Sequence, residues 1–413
     1  MCRVATLALH SSPLARLGQR EAGGMSVYVR QLARELPRRG FQVDIFTRRT
    51  DPETPTVVPL DDGARVIHLL GGPAEALDKV QVYSHLPEMA YNLLRFAEEE
   101  GLSYRLLHSH YWLSGLAAHW LKTRWDLPHV AMFHTLGEVK NHARLGEREP
   151  SLRIEGERKI VASADRLVAP NYQERSQLVR FYGASPAKIE IIPCGVDLDL
   201  FRPLGKAMAR RKLGLTGRRI ILFVGRMDPL KGLDILLQAV ARLDDREGLQ
   251  VLVVGGSLEG DEKLSVYTGM AREMGIAHQV TFLGSLEHEE LPLYYNAADL
   301  CVVPSYYESF SLVAVEALAC GTPIIASRVG GLMGIVRDGE TGFLVPWRCP
   351  DPFSERLETL LGNDMLRENF GRAARKSVER FAWPHIAARI QEMYEDVSQG
   401  RRQCCATGAA CLS

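Results

Sequence analysis

The chain has no surplus charge of either sign: 50 lysines and arginines balance 50 aspartates and glutamates over 413 residues. No global field recruits nucleic acid or an anionic membrane, so any positive charge that matters must be local. Long apolar runs are missing too, with no stretch approaching the eighteen or more residues of a membrane span. The short run Val4-Ala-Thr-Leu-Ala-Leu9 reaches His10 at once and lacks a small-residue cleavage site, so it reads as a first β-strand rather than a secretion signal. The eight cysteines (2, 194, 301, 320, 349, 404, 405 and 411) contain no Cys-x-x-Cys pair. Most stand in apolar or strand-like contexts, as reduced, buried thiols of a cytoplasmic protein do. Two nucleotide signatures are also absent. Gly-x-Gly-x-x-Gly does not occur at the first strand-to-helix turn, and Gly255-Gly-Ser-Leu-Glu-Gly260 runs into Asp261 and Glu262 where a P-loop needs Lys and Ser or Thr.

What is present is a repeated alternation of short apolar runs and polar, helix-like segments. Gln42–Phe46, Val130–Phe133, Arg166–Ala169 and Ile189–Ile192 form one set. Ile220–Val224, Gln250–Val254, Val280–Leu283, Leu300–Val303 and Pro323–Ala326 form another. Such alternation predicts parallel sheets with crossover helices, and the length exceeds what one core supports. The expected class is therefore α/β, with two doubly wound, Rossmann-like domains. Pro193 and Pro203 bracket a segment with neither helical nor strand period, which places the linker there. The first domain is expected over residues 1–197 and the second over 198–379. Phe381, Trp383, Ile386, Ile390, Met393 and Tyr394 then show helical spacing interrupted at Pro384. The tail 398–413 is small-residue rich and is expected to be disordered.

The most informative stretch is residues 304–327. Strand Leu300–Val303 ends in a loop carrying Glu308, and Ser309, Phe310, Ser311 and Leu312 are expected to open a helix. Unpaired amides and the dipole at such a terminus attract a diphosphate. Glu316, expected about two turns in, and Glu308 can hold opposite ends of an extended ligand whose vicinal hydroxyls donate to carboxylates. Gly225-Arg226-Met-Asp-Pro-Leu-Lys231-Gly232 supplies two cations between a strand and a helix, at the carboxyl edge where open α/β sheets bind ligands. Two cations there would neutralise a departing diphosphate.

Further candidates lie in the first domain. Gly23 and Gly24, after His10-Ser-Ser-Pro-Leu14, allow close backbone approach to an anion or a sugar, although a glycine pair alone more often marks a tight turn. His108 reads as a core or capping histidine, whereas His110 and His134 stand nearer strand ends. Zinc does not suit them, because alternate residues of a strand face opposite ways and no cysteine or carboxylate completes a tetrahedral set.

Glu308 and Glu316 within Glu-Ser-Phe-Ser-Leu…Glu-Ala-Leu-Ala-Cys-Gly-Thr-Pro resemble the signature of glycosyltransferase family four, whose members are retaining enzymes of the two-Rossmann GT-B fold. The resemblance extends to about residue 395. Within the family, His10-Ser-Ser-Pro-Leu, Ala22-Gly-Gly-Met25, His108-Ser-His-Tyr-Trp-Leu-Ser-Gly115 and His134-Thr-Leu…Lys140-Asn141 are most similar to the inositol-phosphate N-acetylglucosaminyltransferases of mycothiol synthesis, and more distantly to sucrose-phosphate synthases. It implies donor contacts from His10, Gly23, Gly24, Arg226, Lys231, Glu308, Ser309, Phe310, Ser311, Leu312 and Glu316, with His134, Arg226, Lys231 and Glu308 catalytic. Lys79, Tyr111, Thr135, Lys140 and Arg153 would hold the acceptor phosphate; two or more cations with hydroxyl donors suit a phosphomonoester. The last helix, about 380–397, would cross back onto the first domain. The implied donor is UDP-N-acetylglucosamine or UDP-glucose. The implied mechanism is front-side attack with retention, the donor phosphate taking the acceptor proton. No cofactor is required; Mg2+ accompanying the diphosphate and a homodimer are both compatible. Glu21 for the usual aspartate, Ser26 for an asparagine, and Ala15-Arg16-Leu17 without the expected glutamine and proline are departures that leave the acceptor polyol open. A nucleotide-sugar epimerase on the same fold, a sucrose-phosphate synthase-like glucosyltransferase, and a noncatalytic binding protein are the alternatives.

Overall fold

A computed structural model of the chain describes residues 2–15, 23–143, 148–216, 219–258 and 262–406. Glu21, Ala22, Arg16 and Leu17, and the last residues of the tail, 407–413, lie outside the described residues. The first eight strands are β1 (Cys2–Leu7), β2 (Phe41–Arg48), β3 (Val57–Asp61), β4 (Ala64–Leu69), β5 (Leu106–His110), β6 (His129–Met132), β7 (Arg166–Ala169) and β8 (Ile189–Ile191). They form one sheet in the order β3-β4-β2-β1-β5-β6-β7-β8. The second sheet contains β9 (Arg219–Val224), β10 (Leu249–Val254), β11 (Val280–Gly284), β12 (Leu300–Val303), β13 (Ile324–Ser327) and β14 (Gly342–Val345), ordered β11-β10-β9-β12-β13-β14.

Every pairing is parallel except β3 with β4, where Val57 stands opposite Ile67. This hairpin departs from the strand-and-helix alternation expected from the sequence. Pro59 removes a donor from β3, which is tolerated because β3 is an edge strand. Both sheets reverse direction at one point, between β1 and β5 in the first and between β9 and β12 in the second. Loops that follow strands at such a reversal splay apart and leave a crevice. The sequence order thus fixes where each domain can bind a ligand before any side chain is considered.

The chain crosses between the domains twice, and the two crossings touch. Val196 N donates to Phe381 O at 2.8 Å, and Val196 bridges Ala382 in parallel fashion. A Cβ on Gly195 would lie 2.3 Å from the Trp383 ring, so only glycine admits this approach. Beyond it the final helix, Trp383–Ala406, packs Ile386, Ile390, Met393 and Tyr394 against Val4, Tyr28 and Leu32 of the first domain. Pro384 sits in its first turn, where a missing N–H costs nothing. The expectation of disorder from Ser398 is corrected over 398–406, which continue this helix. No helix among the described residues is long and apolar enough to cross a membrane.

Candidate active site

The carboxyl edges of the two sheets face one another across a cavity of about 370 Å³, lined by residues that follow the strands at both switch points. Its second-domain wall begins at the turn after β9. Asp228 Oδ1 accepts from Leu230 N at 3.0 Å, and Gly232 follows at φ +70°. A Cβ at Gly232 would stand 2.1 Å from Pro304 O, so this turn lies directly against the loop after β12. That contact brings Lys231 Nζ to 2.6 Å from Glu308 Oε1, on which Ser305 Oγ also converges at 3.0 Å. Lys231 and Glu308 thus form an ion pair, and both line the cavity. Arg226 keeps half of its side chain exposed and only approaches Asp228, at 3.5 Å.

The helix that was expected to open at Ser309 starts instead at Leu312 and runs to Ala319, with Ser311 Oγ accepting from Ala314 N at 3.3 Å. A side-chain cap at Ser311 outcompetes helical geometry for Ser309 and Phe310, which remain in the loop and line the cavity. Glu316 is consequently little more than one turn in. Both of its oxygens are engaged: His288 Nε2 lies 2.7 Å from Oε1, and Tyr295 OH donates to Oε2 at 2.9 Å. Burial, reinforced by Glu316, pushes the Tyr295 hydroxyl well above its usual pKa and keeps it a donor.

The opposite wall comes from the first sheet. His10 follows β1, and its ring centroid is 4.3 Å from that of Tyr111, which follows β5. Tyr111 and His134 adopt φ +75° and +60°, in the left-handed region that side chains seldom enter. Each is the residue at which the chain turns from a strand end toward the cavity. His134 Nε2 lies 3.0 Å from His110 Nδ1. Burial lowers His134 to about 3 and His110 well below 6.5, so this pair is uncharged near neutral pH. His108 is fully buried and bonds Tyr394 OH at 2.6 Å, the core role its position suggests.

Lys79, Thr135 and Lys140 line the same wall; Lys79 Nζ stands 5.7 Å over the Tyr111 ring, and Lys140 pairs with Glu149. Arg153 does not line the cavity. It is buried behind Thr135, donating to Thr135 O at 2.7 Å and Oγ1 at 3.0 Å, and pairing with Glu157 at 2.7 Å and Glu149 at 2.9 Å. Its guanidinium carbon sits 4.8 Å over Tyr111. Arg153 thus stands one layer behind the cavity lining, with glutamates at i−4 and i+4 satisfying the cation internally.

Residues 22–200 match the family model for glycosyltransferase family 4, and residues 206–377 match the model for glycosyl transferases group 1. D-inositol 3-phosphate glycosyltransferase 2 of Catenulispora acidiphila is 44% identical over 402 residues, covering 95% of this chain and 94% of that protein. The chain belongs to glycosyltransferase family 4. D-inositol 3-phosphate glycosyltransferase of Mycobacteroides abscessus is also 44% identical, over 399 residues, with 95% and 88% of the two chains covered. Sucrose-phosphate synthase of Thermosynechococcus elongatus shares 35% identity over 97% of this chain and 100% of its own, at a TM-score of 0.90. HepE of Anabaena, at 18% identity and a TM-score of 0.77 over 96% of this chain and 100% of its own, shares the fold. The molecule is a GT-B glycosyltransferase.

Several contributors to this family 4 site escaped sequence reasoning. Gly330 and Gly331 back the Glu308 loop: Gly331 N donates to Glu308 O at 3.0 Å, and a Cβ at Gly330 would fall 1.7 Å from that oxygen. The glycine pair after β13 was a readable signal. His288 and Tyr295, which hold Glu316, carry no local motif. Asn171 and Glu174 reach the same loop from the first domain.

Proposed function

We propose that this glycosyltransferase moves a hexose or N-acetylhexosamine from a UDP-sugar to a phosphorylated polyol or sugar, with inositol phosphate as the first candidate, and does so with retention. The observation that carries the reading is the division of one cavity into a wall with Arg226 and the Lys231–Glu308 pair and a facing wall with Lys79, Tyr111, His134, Thr135 and Lys140. The relatives at 44% identity are named for inositol 3-phosphate, which supports the phosphorylated acceptor.

In this reading Arg226 and Lys231, together with the amides at the start of helix Leu312–Ala319, bind the diphosphate and stabilise the charge that grows as it leaves. Glu308 fixes Lys231 and orients donor hydroxyls. Glu316 takes the ribose, and His10, Gly23 and Gly24 approach the donor from the other domain. Lys79, Lys140, Tyr111 and Thr135 meet the acceptor phosphate, while Arg153 positions Thr135 and Tyr111 from behind. His134, held neutral, offers a hydrogen bond to the transferred sugar and is too weak a base to take the acceptor proton. Among the described residues the cavity-lining carboxylates are Asp228, Glu308 and Glu316, and each is committed to protein donors. That favours front-side attack, in which the departing phosphate accepts the proton, over a carboxylate nucleophile. We propose no protein-held cofactor; Mg2+ would enter only with the diphosphate.

The test is a donor-by-acceptor screen read by mass spectrometry, crossing UDP-N-acetylglucosamine and UDP-glucose with inositol 3-phosphate, a hexose phosphate and free inositol. The expected result is product only with a phosphorylated acceptor and an anomeric proton coupling that matches the donor's. Donor isomerised without any acceptor would establish an epimerase instead, and equal use of free inositol would remove the phosphate from the proposal.

A further inference from the structure

The loop that carries Glu308 is gripped from both domains. Behind it, Gly330 and Gly331 belong to its own domain. In front, Asn171 Nδ2 donates to Ser309 O at 2.5 Å, and Ser309 Oγ donates to Glu174 Oε2. Asn171 also caps helix Tyr172–Tyr182, its Oδ1 accepting from Glu174 N at 2.9 Å, so both reaching side chains are fixed by a single helix start. Glu174 is 1% exposed, and its Oε1 has no partner. A carboxyl group in such a place is costly unless it does something that apolar packing would not. Next to this contact, Tyr307 packs into the first-domain core, and Phe310 and Leu312 pack against its other face. The segment from 307 to 312 is therefore shared between the domains.

We propose that Asn171 and Glu174 are positioning residues for the sugar donor: a clasp from the first domain that fixes Ser309, and through it the Glu308–Lys231 pair, only when the cleft is closed. This rests on the donor role proposed above for Glu308 and Lys231. Opening the domains removes both hydrogen bonds to Ser309 and leaves the loop held by second-domain contacts alone, none of which, among the described residues, engages the Ser309 side chain or fixes Ser309 O. Closure then completes the donor site as well as bringing the acceptor wall to it, so a donor bound to the open form is not yet aligned for transfer.

The clasp acts on alignment rather than on nucleotide contact, so its loss should appear in turnover and not in UDP binding. In Glu174→Ala, kcat should fall about ten- to a hundredfold while the UDP dissociation constant stays within about threefold of wild type. Glu174→Gln keeps an acceptor for Ser309 Oγ and should restore most of the loss, which a purely steric role would not allow. Asn171→Ser keeps the helix cap but is too short to reach Ser309 O, and should behave like Glu174→Ala. The double variant Glu174→Ala with Ser309→Ala should turn over no more slowly than Ser309→Ala alone. Small-angle scattering with UDP present should show a compact wild type and expanded Glu174→Ala and Asn171→Ser. Wild-type kcat in Glu174→Ala, a Glu174→Gln variant as slow as Glu174→Ala at equal thermal stability, or multiplying losses in the double variant would overturn the clasp. If wild type transferred no sugar in any arm of the screen, the functional reading would fail, while equal compaction of wild type and Glu174→Ala would by itself overturn the clasp.

Discussion

The two walls of the cleft handle charge in opposite ways. The second-domain wall keeps its cations near water, Arg226 with 49% and Lys231 with 27% of the side chain exposed, each beside a carboxylate of its own domain. The first-domain wall is built over buried groups, with uncharged His108, His110 and His129 and an arginine neutralised by two glutamates. Accessible cations retain charge for a ligand that brings several negative oxygens. Buried neutral groups instead supply shape, fixed hydrogen-bond direction and exclusion of water. The difference predicts that the first domain fails by losing its fold and the second by losing its chemistry.

Acid should expose that contrast most strongly. Burial holds His108, His129 and His134 at about 3, and places His10 and His110 well below 6.5. Their folded pKa values lie below the unfolded value of about 6.5, so the stability they contribute is complete above that pH and is lost as pH falls toward the folded values. Between pH 7 and 4.5 the first domain should lose several kcal/mol, at about 1.4 kcal/mol per unit for each coupled histidine. Denaturant melts across that range, read through Trp112 and Trp125 of the first domain and Trp347 of the second, check it. Loss of Trp347 packing at higher pH than the others would break the comparison.

Arg153→Ala is next in size. It leaves Glu157 and Glu149 without their buried cation and should cost about 3–5 kcal/mol of stability, seen as a lowered Tm. In the protein that remains folded, preference for phosphorylated acceptors should persist. A normal Tm with that preference abolished would return Arg153 to direct ligand contact.

Lys231→Ala should do the reverse. Stability should fall less than in Arg153→Ala, because the Glu308 left behind keeps Ser305 Oγ as a donor at 3.0 Å and borders the cavity, while turnover should fall a hundredfold or more, about 3 kcal/mol, as the leaving group loses its counter-charge. Stopped or steady-state assays at saturating donor measure this directly. Turnover within a few-fold of wild type would place the diphosphate elsewhere.

The same contrast explains how much could be read in advance. The second-domain wall comes from contiguous stretches, 225–232 and 304–316, in which strand, turn and helix start follow in order, so local rules locate its residues. The first-domain wall draws on His10, Lys79, Tyr111 and His134, spread over more than a hundred residues, and only a family resemblance joined them. Whether a charge meets a ligand or another protein group is also not a local property. Nothing near Arg153 in sequence reveals that Thr135 stands in front of it, and nothing near Asn171 or Glu174 points to Ser309 in the other domain. The start of helix Leu312–Ala319 was misplaced because Ser309 and Ser311 are both capable caps, and the tertiary contact of Ser309 with Glu174 decides between them.

Lys79→Ala tests a cavity-lining charge of the first domain. If Lys79 meets the acceptor phosphate, its loss removes a charged hydrogen bond worth about 1.5–3 kcal/mol, roughly ten- to a hundredfold in kcat/KM. The effect should be confined to phosphorylated acceptors, with UDP affinity unchanged. An equal fall with phosphorylated and free acceptors would show that Lys79 supports Tyr111 rather than the ligand.

Glu316→Gln should give the smallest effect, and the reason lies in its two partners. His288 and Tyr295 already donate to its two oxygens, so the carboxylate is held in place and can offer a ribose only its remaining lone pairs. The amide keeps one acceptor oxygen, while its NH2 group must face either the imidazole or the phenol; both can accept a hydrogen bond, so no donor is left stranded. What disappears is the charge assistance to the ribose hydroxyls, about 1 kcal/mol, or up to tenfold in UDP affinity. Turnover at saturating donor and the anomeric outcome should be preserved, because the ribose lies away from the bond that breaks. Isothermal titration with UDP beside a full rate profile separates the possibilities. Unchanged UDP affinity would remove Glu316 from the ribose, and a fall in saturated turnover at constant affinity would move it into the machinery that aligns the sugar.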